Sequence, residues 1–290
     1  MLRMIKSIGK GLIRISSAFK AFAQVLSKGG IKKLEVSILD KHNELENRKI
    51  VITGGGSGIG LAVARCCVNA GADVLITGRN QQKLREAVHS IGSDSISYLV
   101  WDASDVDSAD LKVQECERKL GGQIDAVVNN AGVPPHEFFP SVSGAEWDRI
   151  YSTNSKGIFF TAQAFCKYWI NHPSDEYRHL INISSQGGFV GALYPYRMSK
   201  WDIRGLTEGL GVQMAPQNVL VNGVAPGVVR TAMQSFAVQQ GDNAYCNQNL
   251  LKRYALPEEV AELIIFMLSG ACNFMVGQTI LLDGGYSIKN

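Results

Sequence analysis

The sequence of 290 residues lacks several features that would assign it to a protein class directly. It contains no run of about 20 apolar residues, which argues against a transmembrane helix. Its six cysteines include no C-x-x-C pair and no metal-ligand spacing, which is typical of free thiols in a reducing compartment. The five histidines do not cluster, so we predict no metal site. We find no internal repeat, no low-complexity tract and no second folded domain.

Acidic residues are absent from residues 1–34, although the whole chain carries a net charge of only +3. The basic residues of this segment are Arg3, Lys6, Lys10, Arg14, Lys20, Lys28, Lys32 and Lys33. The first four recur every three or four residues, opposite a stripe of apolar residues, which predicts a basic amphipathic helix. Three roles are open: peripheral contact with a membrane, a mitochondrial presequence, or packing on the protein body or a partner subunit. We expect no nucleic-acid partner.

The rest of the chain predicts one folded domain. We interpret residues 1–45 as an extension with its linker and residues 46–290 as the domain. Its predicted strands are residues 49–53, 74–77, 96–100, 126–129, 180–183 and 220–224. These apolar runs alternate with helical stretches, which predicts an α/β fold with a single Rossmann-like, doubly wound parallel sheet and helices on both faces. Ligands of such sheets bind at the carboxyl ends of the strands.

A glycine-rich loop follows the first predicted strand and precedes a helical stretch. The loop contains Gly54, Ser57, Gly58, Ile59 and Gly60. Backbone N–H groups and the helix dipole attract a phosphate at such a helix N-terminus, and glycines allow the backbone to approach it closely. The spacing differs from the usual G-x-G-x-x-G, but the strand–loop–helix context predicts a phosphate site.

Tyr196 and Lys200 are four residues apart and share one face of a predicted helix. We expect the ammonium group of Lys200 to lower the pKa of the Tyr196 phenol toward neutral pH. Ser185 precedes this pair and offers a hydroxyl to a substrate oxygen. Together the three groups can move a proton on or off the oxygen of an alcohol or ketone.

These motifs resemble those of the short-chain dehydrogenase/reductase family. In chain order, residues 53–60 match TGxxxGxG, residues 129–132 match NNAG, and residues 226–227 with Thr231 match the PG…T segment. Residues 283–285 match the C-terminal DGG, and the matches together cover residues 46–287. The resemblance implies an oxidoreductase that interconverts a ketone and a secondary alcohol with a nicotinamide cofactor.

The resemblance also implies a role for each member of a catalytic tetrad. Tyr196 is expected to act as the acid in reduction and the base in oxidation. Lys200 is expected to lower the Tyr196 pKa and to hold the nicotinamide ribose. Ser185 is expected to bind the substrate oxygen, and Asn154 to support a water relay to Lys200.

Two of these positions have a neighbour of the same residue type. Ser184 is an alternative to Ser185, because the segment from serine to tyrosine is shorter than the commonest family pattern. Tyr194 is an alternative to Tyr196, but only Tyr196 has a lysine four residues later. We therefore choose Ser185 and Tyr196.

The end of the second predicted strand bears on the choice of cofactor. NAD-dependent family members usually carry an aspartate where this chain has Gly78, and Arg79 follows. An arginine suits a 2′-phosphate, so we predict NADP(H) over NAD(H).

Asp102 resembles the family residue near the adenine and equally suits a helix N-cap. Further cofactor-binding positions implied by the family are Asn129, Pro226, Gly227, Val229 and Thr231, with Asn129 also tying the central sheet together.

The substrate is less well specified. We expect residues 233–256 to form a lid over a partly apolar pocket, and a 3-oxoacyl thioester is one candidate substrate.

The alternative to an enzyme is a non-catalytic nicotinamide-binding sensor or scaffold of the same fold. The resemblance implies a homodimer or homotetramer. We expect a cytoplasmic protein, peripheral to a membrane or mitochondrial according to the role of residues 1–34.

Overall fold

The computed structural model describes residues 23, 43–231, 233 and 246–288. From residue 43 onward, these residues belong to one unit, Ile38–Asn290. The amphipathic helix predicted in residues 1–34 lies outside the described residues apart from residue 23, as does half of the predicted lid, residues 234–245. Leu45 is only 1% exposed, and its backbone N–H donates to the carbonyl of Ala70 at 3.0 Å, so the folded domain includes residue 45.

Seven parallel strands form the sheet, in the order β3-β2-β1-β4-β5-β6-β7. They are β1 Lys49–Thr53, β2 Asp73–Gly78, β3 Ile96–Val100, β4 Ala126–Asn129, β5 Arg178–Ile183, β6 Val219–Pro226 and β7 Thr279–Leu282. The six predicted strands are all present. The sequence did not predict β7, a half-buried edge strand of four residues.

Helices connect the strands and cover both faces of the sheet. The α-helices of the described residues are α1 Gly58–Asn69, α2 Gln81–Ile91, α3 Ala109–Leu120, α4 Gly144–Tyr151, α5 Ile158–Asn171, α6 Pro195–Met214 and α7 Pro257–Leu268. A π-helical turn, Ser152–Gly157, joins α4 to α5. The predicted doubly wound α/β fold is therefore confirmed.

The core consists of two main apolar layers, one on each face of the sheet. Ile50 and Ile52 of β1 face the layer that contains α1 and α7, whereas Val51 between them faces the layer of α3 and α5. Such alternation is what the period of two along a strand dictates when both faces are covered. Because burial on both faces fixes the register of each strand, the carboxyl ends of β1, β4, β5 and β6 are aligned at one edge.

The chain order reverses between β1 and β4, which are neighbours in the sheet although β2 and β3 lie between them in sequence. The connections after β1 and β4 therefore diverge and leave a crevice at the carboxyl ends of the strands. No helix among the described residues is long and apolar enough to cross a membrane. The six cysteines are free thiols, and no cluster of metal-ligating side chains occurs in the described part of the chain.

Candidate active site

A cleft of about 420 Å³ lies at this edge of the sheet. Its walls come from the segment after β4, from the ends of β5 and β6, and from the first turns of α6. Tyr196 and Lys200 line the cleft together with Ser185. The structure thus brings together three members of the predicted tetrad.

The pair at the start of α6 has the predicted helical arrangement. Lys200 is 5% exposed, and its Nζ lies 5.7 Å from the centroid of the Tyr196 ring. The same Nζ donates a hydrogen bond of 2.9 Å to the carbonyl oxygen of Ile183, the last residue of β5. The ammonium group is therefore fixed beside the phenol by the strand end.

The predicted direction of the Tyr196 pKa was wrong. Burial raises the pKa of Tyr196, and a hydrogen bond with Ser185 opposes this rise only in part. Burial also lowers the pKa of Lys200 to about 8. Desolvation is the largest cause of the Tyr196 shift and the cause of the Lys200 shift, because both groups lie in a poorly hydrated wall of the cleft. The Tyr196 phenol is therefore protonated at neutral pH and suited to donate a proton.

The two neighbouring serines have different environments. Ser184 is buried, and its Oγ donates to the backbone carbonyl of Lys200 at 2.8 Å. Ser185 Oγ accepts from the N–H of Gly187 at 3.1 Å and is hydrogen-bonded with Tyr196. Ser184 thus joins β5 to α6, whereas Ser185 lies beside the Tyr196 phenol, as the chosen assignment requires.

Asn154 lies in the π-helical turn and is fully buried. Its Oδ1 accepts from the N–H of Val133 at 2.8 Å, and its Nδ2 donates to the carbonyl of Val133 at 3.0 Å. Both ends of the amide are therefore bound to one backbone position in the cleft wall. In this structure Asn154 holds that wall in place and makes no direct hydrogen bond to Lys200.

The glycine loop has the properties of a phosphate site. Gly54 and Gly58 have φ angles of +67° and +56°, a conformation that favours glycine. At α1, the N-cap Ser57 makes no side-chain capping bond and the first turn contains no acidic residue. By contrast, Asn80 caps α2 and Ser143 caps α4. The first N–H groups of α1 and its positive dipole end therefore suit the pyrophosphate of a dinucleotide.

Other positions implied for the cofactor fall into three groups. The residues Ile59, Pro226, Gly227, Val229 and Thr231 line the cleft. Arg79 is exposed directly after β2. Asn129 is fully buried away from the cleft wall, where its Nδ2 donates to the carbonyl of Ile158 at 2.9 Å and to Asn182 Oδ1 at 3.3 Å, so its contacts here tie the sheet to α5.

Asp102 does not cap a helix, because α3 begins only at Ala109. Its Oδ1 instead accepts from the N–H and the hydroxyl of Ser104, at 3.0 and 2.8 Å. The N-cap interpretation was therefore wrong, and Asp102 stabilises the turn after β3. Asp283 also stabilises a local turn, since its carboxylate accepts hydrogen bonds from Gly285 and Ser287.

Several residues that line the cleft were not singled out as site residues by the sequence. They include Asn130, Val133, Phe138, Arg197 and Tyr286. Asn130 donates from Nδ2 to the carbonyls of Thr53 and Gly54 at 2.9 and 3.2 Å, which fixes the glycine loop to β4. Arg197 directly follows Tyr196 in the sequence. This position next to the proposed acid is the sequence feature that could have indicated Arg197 as a site residue.

Comparison with known proteins places the chain in a family. The model of the short chain dehydrogenase family matches residues 48–241, which is more than half of the chain. The gluconate 5-dehydrogenase of Gluconobacter oxydans (strain 621H) is 29% identical over 249 residues, covering 84% of this chain and 96% of that protein. The 3-oxoacyl-[acyl-carrier-protein] reductase of Aquifex aeolicus (strain VF5) is 30% identical over 247 residues, covering 83% and 98%.

Solved structures give the same result. A short-chain type dehydrogenase/reductase from Mycobacterium marinum superimposes with a TM-score of 0.78 at 29% identity, covering 87% of this chain and all of that one. Fold and site define a nicotinamide-binding oxidoreductase that acts on CH–OH groups of small molecules. The chain belongs to the short-chain dehydrogenase/reductase family.

Proposed function

We propose that the protein is an NADP(H)-dependent oxidoreductase that interconverts a ketone and a secondary alcohol, with Tyr196 as the acid and base. The observation that carries this proposal is the position of the Tyr196 phenol, hydrogen-bonded with Ser185 and close to Lys200 in one cleft. A non-catalytic sensor or scaffold would have no use for this arrangement of donor, acid and cation.

Each residue has a distinct role in the proposed reduction. Ser185 binds the substrate carbonyl oxygen and orients it toward Tyr196. Tyr196 donates its proton to that oxygen as negative charge develops there, and in oxidation its phenolate accepts the proton again. Lys200 stabilises the phenolate and holds the nicotinamide ribose. The nicotinamide supplies or removes the hydride, which is chemistry that protein side chains lack.

The preference for NADP(H) rests on the end of β2. Gly78 leaves no carboxylate to repel a 2′-phosphate, and the exposed guanidinium of Arg79 is adjacent. We expect Arg79→Ala to lose the preference for NADPH over NADH in kcat/KM. An unchanged ratio of the two cofactors would refute this role. Arg118→Ala, an exposed arginine on α3, is the matched control.

The relatives suggest two kinds of substrate. Their names include dehydrogenases or reductases of gluconate and 5-keto-D-gluconate, and reductases of 3-oxoacyl-[acyl-carrier-protein]. The cleft contains both polar and apolar groups, among them Gln186, Tyr194 and Phe138. Both a polyhydroxylated keto acid and a 3-oxoacyl thioester are therefore included among the substrates to be tested.

The reaction is tested by following NADPH oxidation with a panel of ketones, keto acids and 3-oxoacyl thioesters. Tyr196→Phe keeps the ring and removes the proton donor, and we expect it to lower kcat at least about 100-fold. NADPH binding should persist in this variant, as measured by protein-to-cofactor fluorescence transfer. Full activity in Tyr196→Phe would exclude the proposed acid.

Assembly and location complete the proposal. The family resemblance supports a homodimer or homotetramer, which sedimentation velocity measures directly. We propose a cytoplasmic protein whose basic residues 1–34 contact a membrane surface peripherally. Flotation with anionic phosphatidylserine vesicles, compared between the full chain and a variant lacking residues 1–34, tests this contact. Equal flotation of the two would reject it.

A further inference from the structure

Arg197 adds a positive charge to the cleft beside the proposed acid, and no described carboxylate pairs with it. Its guanidinium donates to the carbonyl of Gly191 at 3.0 Å and to the hydroxyl of Tyr286 at 3.3 Å. It also lies 5.4 Å from the centroid of the Tyr194 ring. These three partners are neutral, and no carboxylate of the described residues forms an ion pair with Arg197.

The described surroundings of this charge contain no counter-ion. Arg197 is in the first turn of α6, where the helix dipole is positive, and this turn contains no acidic residue. The described residues that line the cleft include two cations, Arg197 and Lys200, and no aspartate or glutamate. A cation at a positive helix end, with no counter-ion among the described lining residues, is complemented by a bound anion.

The guanidinium is also held in position. Tyr194, Gly191 and Tyr286 surround it, and its side chain packs against Gly187, where an added Cβ would lie 3.1 Å from Arg197 Cγ. Two of its five N–H donors make the hydrogen bonds given above, so others remain for a ligand. A fixed planar group of this kind binds a carboxylate with defined geometry.

We propose that Arg197 binds a carboxylate of the substrate, so that the enzyme acts on a small keto acid and the corresponding hydroxy acid. This inference rests on the proposed function, because it assigns the substrate class of that same cleft. Tyr196 and Arg197 both line this one cleft, so we assign the ketone and the carboxylate to a single small molecule bound there. The phosphate of a carrier-bound thioester is many bonds from its reacting carbonyl, so it is less suited to a cation in the same cleft as the proposed acid.

The test uses pairs of substrates that differ only in charge. The acids are 3-oxobutanoate, 4-oxopentanoate, 5-oxohexanoate and 5-keto-D-gluconate, each compared with its primary amide. For the acid of the right length, we expect kcat/KM to exceed that of the amide about 10- to 100-fold, mainly through KM. Arg197→Gln should bring the ratio of acid to amide close to one, and Arg197→Lys should restore part of it.

Three further measurements make the result specific. Arg118→Gln removes a distant exposed arginine and should keep the wild-type ratio. The KM for NADPH should change less than about twofold in Arg197→Gln, because a larger increase would assign Arg197 to the cofactor instead. S-acetoacetyl-pantetheine is compared with its 4′-phosphate, and a phosphate preference lost in Arg197→Gln would overturn the assignment to a small acid.

The outcomes separate this inference from the proposed function. If the wild type reduces ketones but acids and amides react equally, the carboxylate site is wrong and the proposed function stands. If no ketone is reduced, the carboxylate site can still be tested by calorimetry. The measurement compares binding of 4-oxopentanoate and of its amide in the presence of NADP⁺. Binding of the acid that is lost in Arg197→Gln supports it, and equal binding by the two proteins refutes it.

Discussion

At the residue scale, we expect the environment of each hydroxyl to decide which one takes part in the proposed chemistry. Ser184 and Ser185 are adjacent in sequence, yet one is committed to a backbone carbonyl and the other is hydrogen-bonded with Tyr196. A hydroxyl whose proton is already given to a buried carbonyl contributes to stability. A hydroxyl in the cleft beside an acid is available to a substrate oxygen.

This difference gives opposite expectations for the two alanine variants. Ser185→Ala should lower kcat/KM about 100-fold, because it removes a donor to the oxygen that becomes negatively charged. Ser184→Ala should lower the free energy of unfolding by about 1–2 kcal/mol, because the carbonyl of Lys200 loses its buried partner. Steady-state kinetics and urea unfolding of both variants measure these effects. A larger loss of kcat/KM in Ser184→Ala than in Ser185→Ala would assign the catalytic role to Ser184 instead.

At the element scale, the segment between β4 and α4 forms one wall of the cleft and is held by an ion pair between a buried glutamate and a partly exposed arginine. Glu146 of α4 is 5% exposed and accepts from the N–H of His136 at 2.7 Å and from Arg149 Nε at 2.8 Å. Arg149 also donates to the carbonyl of Pro134 at 2.6 Å. The pair therefore connects the first two turns of α4 to the cleft wall.

Removing the charge of Glu146 should loosen this wall. The Arg149 guanidinium holds the pKa of Glu146 down at about 2, so the carboxylate stabilises the fold above its unfolded pKa of about 4.5. That stability is lost as the pH falls from about 4.5 through 2. We expect Glu146→Gln to lower the free energy of unfolding by about 1.5–3 kcal/mol at pH 7 and to raise the substrate KM.

Glu115→Gln is the matched control for this variant. Glu115 and Lys112 form an ion pair of 2.8 Å with the same i,i+3 spacing, but both side chains are partly exposed on α3. Such a pair contributes less than about 1 kcal/mol. Urea unfolding at pH 7 compares the two variants, and an equal loss of stability would contradict a special role for Glu146.

The same elements show how far the sequence could predict the molecule. The six strands, the glycine loop, and the Tyr196–Lys200 pair are local patterns, so a single reading of the chain could find them. The edge strand β7 carries little periodic signal in its four residues. The Glu146–Arg149 contacts and the raised pKa of Tyr196 depend on burial by distant segments. Burial of that kind is a property of the fold and is not visible in local spacing.

At the scale of the whole molecule, one buried histidine is expected to control stability at mildly acidic pH. His179 of β5 is 1% exposed, and neither ring nitrogen has a hydrogen-bond partner among the described residues. Burial, assisted by the positive charge of Arg48, lowers its pKa to about 3. The ring is therefore neutral in the folded protein at pH values where the unfolded chain, with a pKa of about 6.5, takes up a proton.

The unfolded state gains a proton below its own pKa that the folded state does not bind. We therefore expect the free energy of unfolding to decrease as the pH falls from 6.5 toward 3, at up to about 1.4 kcal/mol per pH unit. His179→Leu removes this dependence without breaking a hydrogen bond of the described residues. Between pH 8 and 5, the free energy of unfolding of His179→Leu should change less with pH than that of the wild type. This pH range lies above the one in which Glu146 titrates. Urea unfolding at several pH values measures the pH dependence of stability. The control is His89→Leu, which replaces an exposed histidine. Parallel profiles for His179→Leu and the wild type would exclude His179 as the cause.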